Sequence, residues 1–99
     1  MANNGVTFAL GLAQKAGKLA SGDYAVRSAL KTGKAKLLLV AADAAENSKK
    51  DMYFMAELSG TPVVECLSRD ELGRSIGKAK RTAVVVLDNN FANMINKNI

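Results

Sequence analysis

Leu37-Leu38-Leu39-Val40-Ala41 decides the fold. The run is too short for a helix of ordinary length, apolar at every position, and led in by Lys34-Ala35-Lys36. A strand covered on one face alternates apolar and polar residues, whereas one covered on both faces reads as an unbroken apolar run. Thr82-Ala83-Val84-Val85-Val86-Leu87 repeats the pattern. Two such strands require layers above and below a sheet.

The segments around them supply those layers. Residues 4–17 read as a helix, with Val6, Leu10, Ala13 and Ala16 on one face and Gly17 as the stop. Leu19-Ala20-Ser21 is a short extended piece. Ser21 or Gly22 starts a second helix that turns Val26, Ala29 and Leu30 inward, and Gly33 fits a left-handed terminus. Asn47 or Ser48 is expected to cap a third helix, with Ser48 and Asp51 in a capping-box relation. That helix carries Met52, Met55, Ala56 and Ser59 on one face and ends at Gly60. Residues 61–66 form a strand whose Pro62 sits at its start. Ser68-x-x-Glu71 is a capping box opening a short helix that stops at Gly77. Asp88 to Asn90 cap a last helix bearing Phe91, Met94 and Ile95. Helix alternates with strand throughout, and the expected fold is α/β: a three-layer α/β/α sandwich around a small mixed sheet of about four strands. Residues 1–99 read as a single domain, with no linker, repeat or low-complexity tract.

Composition narrows the function. Among 99 residues, 14 are basic and 9 acidic, for a net charge of +5. The excess is uneven: residues 1–36 carry a net +5, residues 37–66 a net −3, and residues 67–99 a net +3. Clustered cations suit a phosphate-rich partner, because binding releases the counterions condensed on nucleic acid. The competing reading of this charge is solubility. Histidine is absent and Cys66 is the single cysteine. The usual general base, the common triads, internal disulfides and the familiar zinc sites are therefore excluded. No apolar run is long enough to span a membrane. The start Met1-Ala2-Asn3-Asn4 lacks the features of a signal peptide. The reading is a cytoplasmic protein.

Asp43 and Asp88 each follow an apolar strand, where functional residues of α/β proteins gather. They could hold magnesium or act as an acid–base pair, but aspartate is also common there as a turn or capping residue, which is the reading adopted. Cys66, without a histidine to activate it, reads as a small core residue. No Gly-rich phosphate loop or nucleophile elbow is present. No enzyme activity and no cofactor or metal are expected. Lys15, Lys18, Arg27, Lys31, Lys34 and Lys36 surround the first glycine-rich segment. There Ser21-Gly22-Asp23 precedes a helix whose free N–H groups can take an anion. A second basic group, Lys78, Lys80 and Arg81, follows Gly77. Tyr24 offers a stacking surface, but aromatic residues make up only 5% of the chain. That composition argues against a single-strand stacking platform and for folded RNA.

The stretch from Gly22 to Leu37, Gly-Asp-Tyr-Ala-Val-Arg-Ser-Ala-Leu-Lys-Thr-Gly-Lys-Ala-Lys-Leu, resembles the signature segment of the kink-turn-binding ribosomal proteins, the L-seven-Ae and L-thirty-e proteins. Four further features agree in order: the strand from Leu37, the Ala41-Ala42-Asp43-Ala44 loop, the Ser68–Gly77 segment with Leu72-Gly73 inside it, and the closing strand 82–87. The likeness spans about residues 7 to 91 and is closest to the small bacterial members. It implies an RNA-binding sandwich. Gly22, Asp23, Tyr24, Ala25 and Ser28 would enter the widened groove of the kinked RNA, Asp43 and Lys49 would belong to a second contact loop, and Glu65, Leu67 and Ser68 would edge a pocket for a flipped base. In the best-known kink-turn binders the two positions after Gly-x are Asn and Glu, with Lys three residues later; here they are Tyr24, Ala25 and Ser28. Arg27 or Lys31 would have to replace the missing charge. Lys18, Ser21 and Lys34 complete the expected contact set.

The expected function is non-catalytic binding of kinked or internal-loop RNA, with ribosomal RNA among the candidates. The partner is structured RNA rather than DNA or membrane, and the protein is expected to act as a monomer. The alternative is a protein-interaction or assembly module that keeps the fold, docking through an apolar face around Met52, Met55 and Phe54. A nucleotide-binding enzyme using Asp43 and Asp88 ranks last.

Overall fold

The computed structural model describes residues 4–99, so the first three residues of the amino-terminal reading lie outside it. Nine elements alternate along the chain: α1 (Asn4–Lys15), β1 (Leu19–Ser21), α2 (Asp23–Lys31), β2 (Leu37–Val40), α3 (Glu46–Ser59), β3 (Val63–Glu65), α4 (Arg69–Ser75), β4 (Ala83–Val86) and α5 (Asn89–Asn96). The strands form one mixed sheet in the order β1-β4-β2-β3. The two runs that were apolar throughout, β2 and β4, are its central strands and are buried at every position. Helix α1 packs with α4 and α5, and α2 packs with α3. The α/β/α layering follows from the need to cover both faces of β2 and β4.

Strand direction fixes what meets what. β2 and β3 are parallel, with Val40 beside Glu65. β4 runs antiparallel to both β2 and β1, pairing Leu39 with Val84 and Ser21 with Val84. The carboxyl ends of β1, β2 and β3 and the amino end of β4 therefore share one edge of the molecule, called here the rim. The opposite edge holds the starts of β1 and β2 and the end of β4.

Local chemistry explains most boundaries. Ser68 accepts the Glu71 N–H at 3.1 Å while the Glu71 carboxylate accepts the Ser68 N–H at 2.8 Å, so the expected capping box forms. Asp88 caps α5 by accepting the N–H groups of Asn90 and Phe91. Gly73 is buried, and a Cβ there would lie 2.0 Å from the Ala79 carbonyl oxygen. Only glycine lets the 78–79 turn close onto α4, with the Lys78 N–H on the Gly73 carbonyl at 2.9 Å.

Four expectations need correction. Helix α3 does not start at Asn47 or Ser48: it starts at Glu46, with Ala45 in an extended conformation and no side-chain cap. The Ser48–Asp51 box does not form, and the Asp51 carboxylate is committed to Arg27 instead. Met52 does not belong to an outer apolar face, because it is a core residue, whereas Phe54 is 60% exposed. At about 100° per residue the two positions point to opposite sides of a helix. The strand expected over 61–66 is shorter, Val63–Glu65.

Candidate nucleic-acid interface

The rim gathers residues far apart in sequence. α2 begins there with Gly22 at its N-cap, at φ 89°, a conformation that suits glycine. Gly22 offers no side chain to the first-turn N–H groups, and no side-chain cap replaces it. No atom would lie within 4 Å of a Cβ at this position, so the approach is open. α3 and α4 also start at the rim, which directs the positive ends of three helices toward it.

A cleft of about 440 Å³ runs between the start of α2, the first turns of α3 and the segment entering β4. Gly22, Asp23 and Arg27 form one wall, Asn47, Ser48 and Asp51 another, and Lys80, Arg81 and Thr82 a third. Tyr24, 86% exposed, stands on the same first turn of α2. Arg27 bridges the two helices: its Nε donates to Asp23 at 2.9 Å and its Nη2 to Asp51. Its hydrogen bonds to the Asp51 and Asp23 carboxylates raise its pKa further. The guanidinium is thus a clamp between α2 and α3, with its charge already matched. Arg81 braces its own loop through the carbonyls of Ala79 and Lys80, at 3.2 and 3.0 Å, and reaches Ser21 Oγ at 3.4 Å. Lys78 and Lys80 remain exposed beside it.

The far half of the rim is tied to this cleft through backbone groups. The Ala41 N–H donates to the Thr82 carbonyl and the Ala42 N–H to the Leu67 carbonyl, both at 2.8 Å. The Asp43 carboxylate accepts the Arg69 N–H at 2.8 Å, and the Arg69 carbonyl accepts the Arg81 N–H at 3.1 Å. That first bond holds the Asp43 carboxyl below its ordinary range. Asp43 and Asp88 are both turn or capping residues, as read from the sequence.

Glu65, Lys49 and Tyr53 form a separate cluster. Glu65 accepts from Tyr53 Oη at 2.6 Å and from Lys49 Nζ at 3.2 Å, which lowers its pKa. The Tyr53 phenol, bonded to that carboxylate, is pushed up to about 12. Leu67 is 6% exposed and takes a positive φ of 64°, so it presents its backbone to the rim and its side chain to the core. Cys66 packs against the core, and burial raises its thiol pKa. β3 lies three strand spacings from β1, about 14 Å away. Glu65 and Ser68 therefore share the rim with Gly22 but not its cleft.

The structure divides the other expected contacts. Ser21, Gly22, Asp23, Tyr24, Ala25 and Ser28 lie on or near the first turns of α2. Lys31 closes α2, and Lys34 lies beyond it. Lys15 closes α1, and Lys18 lies beyond it. All four of these lysines sit toward the opposite edge of the sheet. Lys80, Arg81, Thr82, Asn47 and Ser48 line the cleft. The sequence marked Lys80 and Arg81 as a basic group, but only the antiparallel placement of β4 beside β1 brings them to Gly22.

Residues 5–95 match the model of the ribosomal protein L7Ae/L30e/S12e/Gadd45 family. The chain belongs to this family. It is 40% identical over 86 residues to the RNA-binding protein YlxQ of Bacillus subtilis (strain 168), covering 87% of this chain and 86% of that protein. It is 38% identical over 81 residues to the large ribosomal subunit protein eL30 of Candida albicans, covering 80% and 76%. A solved structure of a protein of unknown function from Bacillus halodurans C superposes with a TM-score of 0.88 at 29% identity, covering 97% of this chain and 96% of that one. The small bacterial likeness and the α/β architecture read from the sequence agree with these matches. Among the described residues, no helix is long and apolar enough to cross a membrane.

Proposed function

We propose that this protein binds structured RNA at the rim, without catalysis, and that its targets are kinked or internal-loop RNAs associated with the ribosome. One observation carries the reading. The uncapped, sterically open start of α2 at Gly22 faces Lys80 and Arg81 across the cleft, with Tyr24 almost fully exposed beside it. Main-chain N–H groups and a helix terminus suit phosphate oxygens, Lys80 adds an exposed cation, and Tyr24 can stack on an unpaired base. The RNA-binding and ribosomal names of the relatives support the same reading. Ala25 and Ser28 cannot supply the carboxylate and cation of the best-known kink-turn binders. Recognition here rests on shape, backbone contacts and Tyr24 stacking.

A titration with a kink-turn hairpin and a plain duplex of equal length, at two salt concentrations, tests this. Tighter binding to the kinked RNA is expected, with affinity falling by about 0.7–0.9 log units per log unit of salt for each phosphate contact. Equal affinity for both RNAs would reject shape recognition.

A second reading is a protein-interaction module. It is favoured by Phe54 and Leu58, 60% and 73% exposed, beside a groove of about 460 Å³ between α2 and α3. Failure to bind either RNA would move the assignment to that groove.

A further inference from the structure

The edge opposite the rim carries its own concentration of positive charge. The turn after α1 brings Lys15 and Lys18 to the start of β1, and the turn after α2 brings Lys31, Lys34 and Lys36 to the start of β2. The two turns are locked to the end of the same strand. The Leu87 N–H donates to the Lys18 carbonyl at 2.9 Å, and the Lys36 N–H donates to the Val86 carbonyl at 2.7 Å. Because β4 lies between β1 and β2, the Lys18 and Lys36 backbones are two strand spacings apart, about 10 Å.

All five lysines are exposed, and none is in an ion pair among the described residues. The acids at this edge are Asp88, whose carboxylate is occupied in capping α5, and Glu57, near the end of α3. Lys15 and Lys31 occupy the last turns of α1 and α2, where cations offset the helix dipole, and that role accounts for them. It does not account for Lys18, Lys34 and Lys36, which lie outside the helices. Lys18 and Lys36 are fixed in spacing by one strand end, Lys34 is held to the end of α2 by its N–H on the Ala29 carbonyl at 3.0 Å, and the three unpaired cations form a track for a phosphate backbone. They come from turns and strand starts rather than from one amphipathic helix, the form that an interfacial membrane anchor takes.

We infer that Lys18, Lys34 and Lys36 hold a second stretch of RNA phosphate backbone, so that one molecule bridges two RNA segments from opposite edges of its sheet. The rim half of this bridge rests on the proposed function, whereas the lysine edge stands on its own geometry. The lysine edge takes duplex RNA without regard to sequence, because it offers charge and no base-reading group.

The full chain, a variant carrying Lys18→Glu, Lys34→Glu and Lys36→Glu, and a variant carrying Lys80→Glu and Arg81→Glu test this. Each is titrated with a kink-turn hairpin, with a plain duplex, and with the two together under separate fluorescent labels. The wild type is expected to bring the labels together, with energy transfer falling again at excess protein. The lysine-edge variant is expected to keep hairpin binding, lose energy transfer and bind the duplex at least about tenfold more weakly at low salt. Its salt slope for the duplex should fall by about 2 to 3, roughly 0.7–0.9 for each lysine. Duplex binding and energy transfer unchanged in that variant would overturn the inference. So would duplex binding abolished only by the Lys80 and Arg81 changes. Wild-type binding with no preference for the kinked hairpin, but with duplex affinity lost in the lysine-edge variant, would reject the rim reading and retain the lysine edge. Transfer of the effect from RNA to an acidic polypeptide competitor alone would overturn it.

Discussion

The Asp43 carboxylate accepts the backbone N–H of Arg69 at 2.8 Å, and through it the loop after β2 holds the start of α4. Arg69 in turn accepts the Arg81 N–H, so one aspartate braces two neighbouring loops of the rim. Asp43→Ala is expected to speed amide hydrogen exchange at Arg69 and Arg81 while the sheet amides stay protected. Asp43→Asn keeps an acceptor oxygen and should restore most of the protection. Unchanged exchange at Arg81 in the alanine variant would show that the coupling is absent.

Arg27 clamps α2 to α3 through Asp23 and Asp51, and its charge is spent within the protein. Its side chain is 35% exposed, so the clamp is worth about 0.5–1 kcal/mol once solvent screening is allowed for. Arg27→Ala should lower the urea midpoint slightly and leave the salt slope of RNA binding unchanged. A slope reduced by about one contact would instead make Arg27 a phosphate ligand.

Gly73→Ala places a methyl group against the Ala79 carbonyl oxygen, a backbone atom that cannot step aside alone. Overpacking of this kind costs about 1–3 kcal/mol. Thermal unfolding should show a Tm drop of several degrees, and the 78–82 segment should lose amide protection before the rest of the chain.

The capping box at α4 links stability to acid. Ser68→Ala should cost about 1 kcal/mol. The Ser68 N–H, and then its hydroxyl, hold the Glu71 carboxyl below its ordinary pKa. A depressed carboxylate stabilises the fold above its unfolded-state pKa, and that contribution is lost as pH falls through the lowered folded value. A carboxyl titration of Glu71 by NMR should show the depression, reduced in Ser68→Ala.

At the alkaline end the sign reverses. The Tyr53 phenol is raised to about 12 by its bond to Glu65, so the folded state favours the neutral phenol. Its contribution is complete below the ordinary tyrosine pKa of about 10 and is lost as pH rises toward 12. Absorbance titration near 295 nm should show one late-ionising tyrosine that disappears in Tyr53→Phe.

The local pattern of the chain settled its elements and its layers. Leu37–Ala41 and Ala83–Leu87 are apolar at every position, and short runs of that kind need cover on both faces. Ser68 with Glu71, and Asp88 before α5, are caps because their side chains satisfy nearby N–H groups, which is a matter of sequence spacing alone. Gly22, Gly33 and Gly60 mark turns for a different local reason, a positive φ that glycine adopts without strain. Helix α3 starts earlier than its local pattern suggests, and Asp51, at capping-box spacing from Ser48, finds Arg27 on another helix. Strand direction lay beyond any local pattern. An apolar run carries no signal of its neighbour or its polarity. Placing β4 antiparallel between β1 and β2 brings Lys80 and Arg81 to Gly22 and sends Lys18, Lys34 and Lys36 to the opposite edge. The sequence showed a chain rich in lysine near glycine; only the long-range pairing of the sheet divided that charge between two edges.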